Sequence, residues 1–230
     1  MGRHMLAGNP PIEVELKRSH RARRMTLRVS RLDGRVTLTM PPRLAEKEGL
    51  AFLKDRESWL RTHLAGVGGA LPMVFGTAIP LEGAEVILTP GAVRRPTREG
   101  SVLLLPPDPD KVAARTLAYL KAAARDRLAI ACDRHAAVLG RPYGRLTLRD
   151  TRSRWGSCSS RGDLMFSWRL IMAPSEILDY VAAHEVAHLA EMNHSDAFWA
   201  VCARLYPDHK SARRWLRNNG SELHRLRFDR

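Results

Sequence analysis

The chain has 230 residues, 44% of them hydrophobic and 27% charged, which is enough to bury a core and, with no apolar run near the roughly 18 residues of a spanning helix, excludes a membrane protein. Three cysteines (Cys132, Cys158, Cys202) without a CxxC pair exclude a disulfide framework and read as reduced thiols of a cytoplasmic protein. The balance of 38 basic against 24 acidic residues, net +14, favours polyanionic partners, although only six of the 38 are lysines and GC-biased coding produces arginine-rich chains without selection for binding.

The opening "MGRHM" reads as a cloning remnant with Met5 as the natural start, so residues 1–4 carry no fold expectation, and no secretory signal follows. "IEVEL", "MTLRVS" and "RVTLTM" alternate as strands, and Asp33-Gly34 between the last two predicts a hairpin. Leu50, Leu53, Trp59, Leu60 and Leu64 space a helix over 44–64. After the Gly-rich "AGVGGALP" come further strands in "MVFGTAIPLEG", "AEVILTP" and "SVLLLPP". "PPDPD" marks a boundary, with Asp110 as a candidate N-cap. The residues at 111–139 predict the longest helix, ended by Gly140. "RLTLRDT" is a strand, and "RWGSCSSRGDLMFSW" is a hairpin turning at 160–163. Pro174-Ser175 opens a helix, and two more are predicted over 195–205 and 210–218. The expectation is an α+β chain: a β-rich region with one helix at 8–105, then a catalytic domain at 110–225.

The chemistry concentrates in "YVAAHEVAHLAEMNHSDAFW", residues 180–199. On a helix, His184 and His188 lie about 40° apart and one turn apart, so both imidazoles can face one ion. Glu185, about 100° around, points off the ion but within reach of a water on it. This is the HExxH pattern, in which zinc acidifies its water and the glutamate acts as general base. The bland alternative is a pair of core histidines on an amphipathic helix with Ile177 and Val181. Against it stand the cost of an unpartnered buried imidazole and the small neighbours Ala182, Ala183 and Ala187, which leave room for a site.

A catalytic zinc needs a third protein ligand and an open position. His194, six residues after His188, is the first candidate if the chain turns back beyond Met192, with Asn193 suited to a left-handed helix end. Glu191 is the rival, one helical turn beyond His188. A purely structural metal would need a fourth ligand, and no nearby cysteine or histidine has the spacing.

Three segments together, "RSRWGSCSSRGDLMFSWRLIMAP", "LDYVAAHEVAHLAEMNHSDAFW" and "YPDHKSARRWL", resemble the YgjP-like metal-dependent hydrolases, relatives of the SprT-like and WLM-type minimal gluzincin metallopeptidases. The resemblance is close over 149–216 and looser over the N-terminal part. It implies a zincin-like catalytic part with one Zn2+ per chain (another divalent metal being admissible) on His184, His188 and His194, with Glu185 as the acid/base. It also implies a hairpin edge strand along the cleft, so that Arg152, Arg154, Trp155 and Ser157 contact substrate. Cys158 reads as an inert thiol. Lys210, Arg213 and Arg214 either hold a substrate anion or dock the last helix. His209 reads as a surface residue.

Three substrates compete. A peptide or protein would pair with the hairpin edge. A nucleoside triphosphate would suit zinc-activated water and clustered arginines, making the protein a pyrophosphohydrolase or phosphatase. A DNA-associated protease would use the seven basic residues from Lys17 to Arg31, but those alternate with "MTLRV" as the outer face of a strand and lack interleaved aromatics, so nucleic acid is not favoured. The reading adopted is a metallopeptidase-type zinc hydrolase, with nucleotide hydrolysis as its alternative and no membrane partner.

Overall fold

The computed structural model describes residues 2–30, 34–65, 72–226 and 228. It shows an α+β chain in two compact units, Met1–Ala70 and Leu71–Arg230. The division follows Ala70, not the proline-rich stretch near 106–110. The physical reason is that the second β-rich stretch buries Ile79, Leu81, Val86, Leu88, Leu103 and Leu105 in one core with the long helix and the histidine helix. Among the described residues no helix is long and apolar enough to cross a membrane.

In the first unit, β1 (Gly2–Leu6), β2 (Ile12–Arg18), β3 (Thr26–Val29) and β4 (Val36–Met40) form a sheet in the order β1-β2-β4-β3. The central pair β2–β4 is parallel and both outer pairs are antiparallel. Residues 2–4, set aside as a remnant, instead extend β1, with Gly2 opposite Leu16 and His4 opposite Val14. An extended segment beside a free strand satisfies its backbone groups in the ladder whatever its origin. The β3–β4 hairpin forms, with Val29 opposite Val36 and Gly34 at φ 68°; Asp33 lies outside the described residues. The helix expected over 44–64 is two, α1 (Glu46–Asp55) and α2 (Glu57–Ala65), broken at Arg56. Its N–H reaches the carbonyls of Phe52 and Leu53 in a tightened last turn. The inward residues Val14, Val36, Leu38 and Met40 meet Leu53 and Leu60 in a core belonging to this unit.

The basic run is not one strand face. Arg18 is tied to the carbonyls of Pro42 at 2.8 Å and Leu44 at 2.7 Å, while Arg21, Arg23 and Arg24 are exposed on the connection preceding β3.

In the second unit, β5 (Ala78–Leu81), β6 (Ala84–Pro90), β7 (Thr97–Glu99) and β8 (Val102–Leu105) form a sheet ordered β5-β6-β8-β7, again with a parallel centre and antiparallel flanks. Its β5–β6 turn places Glu82 at φ 53° and Gly83 at φ 80°, the two left-handed positions of a tight hairpin. Glu82 is held there: its N–H donates to the Ile171 carbonyl at 2.7 Å, and its carboxylate accepts from Arg98 at 2.9 Å and Arg127 at 2.5 Å.

Helix α3 (Val112–Leu139) ends, as its sequence predicts, at left-handed Gly140. It packs along α4 (Ser175–Ala187), burying Ala182, Ala183, Val186 and Ala187 completely. The small residues of α4 therefore admit close helix–helix packing. A three-stranded sheet, β10 (Gly156–Cys158), β11 (Leu164–Ser167) and β9 (Leu146–Arg149), lies in that order with β10 at an edge beside α4. The β10–β11 hairpin turns at left-handed Gly162. Helices α5 (Asp196–Leu205) and α6 (His209–Asn219) close the other side of α4.

Candidate metal centre and its cleft

Helix α4 aims His184 and His188 the same way. The chain then leaves the helix through turns, with the N–H groups of Ala190 and Glu191 both on the Ala187 carbonyl. Ser195 caps α5 by accepting from the Phe198 N–H, and His194 comes back over the pair. Contrary to the expectation from sequence, Asn193 is not left-handed; among the described residues Glu82 is the non-glycine residue with positive φ. A run of turns ending in an N-cap makes the reversal without it.

One ligand atom from each of His184, His188 and His194 lies within 4.8 Å of the others. The Nε2 atoms of His184 and His194 stand 3.0 Å apart, close to the roughly 3.3 Å between two imidazole nitrogens on one tetrahedral zinc. His188 donates from Nδ1 to the Glu191 carbonyl at 3.0 Å, which leaves the Nε2 lone pair facing the other two rings. Glu191 thus serves the site through its backbone, orienting a ligand, and its side chain is not part of the cluster. Burial, and then the neighbouring histidines, push His184 down to about 3; burial also lowers His188. Neutral imidazoles are the form that binds a metal, so the donor set fits a divalent ion such as zinc.

Two aromatic residues unremarked in the sequence hold the rings. Phe198 is fully buried, its ring 4.9, 4.5 and 4.8 Å from those of His184, His188 and His194. Trp199 stacks on His194 at 5.8 Å and on His209 at 5.6 Å. His209, read as a surface residue, is instead buried against Trp199 at the start of α6, with Nδ1 donating to the Pro207 carbonyl at 3.2 Å. The local signal was "SDAFW": residues three and four beyond an N-cap turn back onto the segment before it.

Glu185 is buried, and burial pushes its carboxyl up to about 8 against the opposing pull of Arg154. A value near neutrality suits a group that takes and gives a proton. Its place is set by β10: a Cβ on Gly156 would stand 2.6 Å from the Glu185 Cγ and 2.6 Å from its Oε1, so no larger residue fits while Glu185 stays where it is.

The cleft over the three histidines has a volume of about 610 Å³. Arg154, Trp155, Gly156, Ser157 and Cys158 form one wall, and Arg213, Leu216 and Arg217 of α6 the other, with Tyr180 and Met192 between. Of the residues expected along the substrate groove, Arg154, Trp155, Ser157 and Arg213 line this cleft. Arg152 and Lys210 are not in the lining. Arg152 lies close enough to Asp150 and His224 to act on both charges, and Lys210 is exposed on α6. Trp155 is also an anchor, its ring 5.2 Å from that of His224 and packed against Gly220. The Cys158 thiol is pushed up to about 11 by burial and the nearby carboxylates, which makes it inert. Arg217 escaped the sequence reading; its spacing of four from Arg213 on a helix was the available signal.

The match to known proteins follows the same lines. A model of the YgjP-like metallopeptidase domain matches residues 23–219. The crystal structure of the metallopeptidase zymogen of Pyrococcus abyssi abylysin is similar at 19% identity over 43% of this chain and 97% of that one, with a TM-score of 0.37, too distant to carry residues across. No curated protein matches the chain.

Proposed function

The chain belongs to the YgjP-like metallopeptidase family, and we propose that it is a zinc-dependent hydrolase that cleaves a peptide bond, with His184, His188 and His194 holding the ion and Glu185 as acid/base. The observation that carries this reading is the convergence of three imidazoles and one buried carboxyl on a single open cleft. A zinc ion held there would supply a Lewis acid and an acidified water. The chain supplies the rest. Glu185 takes the proton of the attacking water and passes it to the leaving amine. Gly156 keeps the carboxyl in place by leaving it room. The edge strand β10 offers its backbone to an extended peptide, with Arg154, Trp155 and Ser157 along its course.

The test is metal analysis and peptide turnover in parallel. His194→Ala should lose the metal, and Glu185→Gln should keep it and lose turnover. Loss of metal in Glu191→Ala but not in His194→Ala would overturn the ligand assignment.

A second reading rests on the arginines. Arg154, Arg213 and Arg217 in one cleft suit a polyphosphate, and the same water attack would then release phosphate or pyrophosphate from a nucleoside triphosphate. Release that disappears in Glu185→Gln would select this reading; its absence from metal-loaded protein would remove it.

A further inference from the structure

Helix α6 carries two arginines on its cleft side, Arg217 in its last turn, where a cation also suits the helix dipole. Arg213 and Arg217 are four residues apart, and both line the cleft. Like charges at that spacing repel. Among the described residues neither has a carboxylate partner, although ion pairs hold many of the chain's other arginines, Arg61, Arg98, Arg127, Arg134 and Arg169 among them. Arg154 on the opposite wall acts instead on the Glu185 carboxyl. The carboxyl that does stand in the cleft, Glu185, is buried and belongs to the centre.

Arg213 is fixed in place by something other than an ion pair. Its guanidinium lies over the Trp199 ring, 4.9 Å from the centroid. The same ring stacks on the metal-site residue His194 and, through a second near-parallel contact, on His209. One indole thereby ties the position of a cation to the position of the centre. A stacked guanidinium keeps its N–H groups free at the edge of its plane, ready for two parallel bonds to a carboxylate.

We infer that α6 is the specificity wall of the cleft: Arg213, positioned by Trp199 and assisted by Arg217, receives a carboxylate of the substrate peptide close to the bond that is cut. The inference rests on the peptidase reading for its substrate, but the wall is testable without turnover. The carboxylate has two sources, an acidic side chain or a free C-terminus. The first makes the protein an endopeptidase selective for acidic sequences, the second a carboxypeptidase.

The experiment uses full-length, metal-loaded Glu185→Gln protein, which binds without cutting, and fluorescent hexapeptides in three versions: acidic side chains with an amidated end, neutral with a free end, and neutral with an amidated end. One of the charged versions should bind about tenfold tighter than the neutral amide, and which one it is identifies the source. Adding Arg213→Gln should reduce that ratio to below about threefold with metal content unchanged. Arg214→Gln, on the same helix but outside the lining, should leave it intact. Trp199→Leu, assayed at equal metal content, should lower the ratio as Arg213→Gln does; an intact ratio there removes Trp199 from its positioning role. Equal binding of all three peptides overturns the inference, as does a preference that survives Arg213→Gln or that Arg214→Gln abolishes equally. A nucleoside triphosphate bound tighter than any peptide, and lost in Arg213→Gln, would reassign the wall to phosphate. Peptide cleavage by the wild-type protein is followed alongside: its absence with the binding ratio intact would sink the peptidase reading and leave the wall standing.

Discussion

The two four-stranded sheets of this molecule are wired alike and used differently. In each, an antiparallel pair is followed by a strand that skips a place, forms the far edge, and returns by a hairpin to lie parallel in the middle. Each hairpin carries a left-handed glycine, Gly34 at φ 68° and Gly100 at φ 58°. The first sheet is covered by α1 and α2 and has a core of its own. The second shares its core with α3 and α4, the helix that bears His184 and His188. The same topology therefore stabilises an independent unit in one place and the floor under a reactive centre in the other.

That difference can be broken most readily at the centre. Glu185→Gln should lower turnover by about 10²- to 10⁴-fold with metal retained, and a fragment comprising residues 72–230 should hold the same one metal per chain. A fragment that folds, by circular dichroism, yet takes up none would show that the first unit contributes to the centre after all.

Core truncations give the next largest effect. Leu38→Ala and Leu103→Ala, both fully buried in the native chain, should each cost about 2–5 kcal/mol. Hydrogen exchange should place the first loss within residues 2–64 and the second across residues 72–226, and only the second should weaken metal retention. Equal effects on the metal would abolish the distinction between the sheets.

Acid should also separate the two. Burial pushes His224 down to about 4, so the folded second unit keeps this ring neutral where the unfolded chain binds a proton near pH 6.5. The resulting stability is complete above pH 6.5 and is lost as pH falls through 4, on the order of 2 kcal/mol in all. Denaturant titrations at pH 7 and pH 4.5 should show the loss in wild type and a smaller one in His224→Gln.

The smallest effect tests the likeness itself. Gly100→Ala meets nothing within 4 Å, so its cost is the left-handed backbone alone, about 1 kcal/mol. Gly34→Ala should cost a similar amount in its own unit. A large disparity would mean that the two hairpins are equivalent only in outline.

Much of the centre was legible because it depends on short-range geometry. Helical spacing alone brings His184, His188 and Glu185 to one place, and a polar residue on a buried face announces itself. The strands were legible wherever one face is buried, since alternation follows from the pleat. What escaped depends on packing between segments distant in sequence. Nothing local distinguishes His209 under Trp199 from a surface histidine. The parallel pairing β2–β4 and the merging of the second sheet into the catalytic core are choices of partner, which alternation does not encode. The break at Arg56 is a local event, yet both sides of it read as helix formers.

Gly156 carries a consequence for the reading of related chains. A single methyl there would occupy the space of the Glu185 carboxyl and spare all three imidazoles. On the proposed role of Glu185, a homologue with alanine at that position would keep the full histidine signature and the metal yet lose turnover, an enzyme silenced from the neighbouring strand. Sorting living members of such a lineage from inert ones therefore begins at a glycine outside the motif.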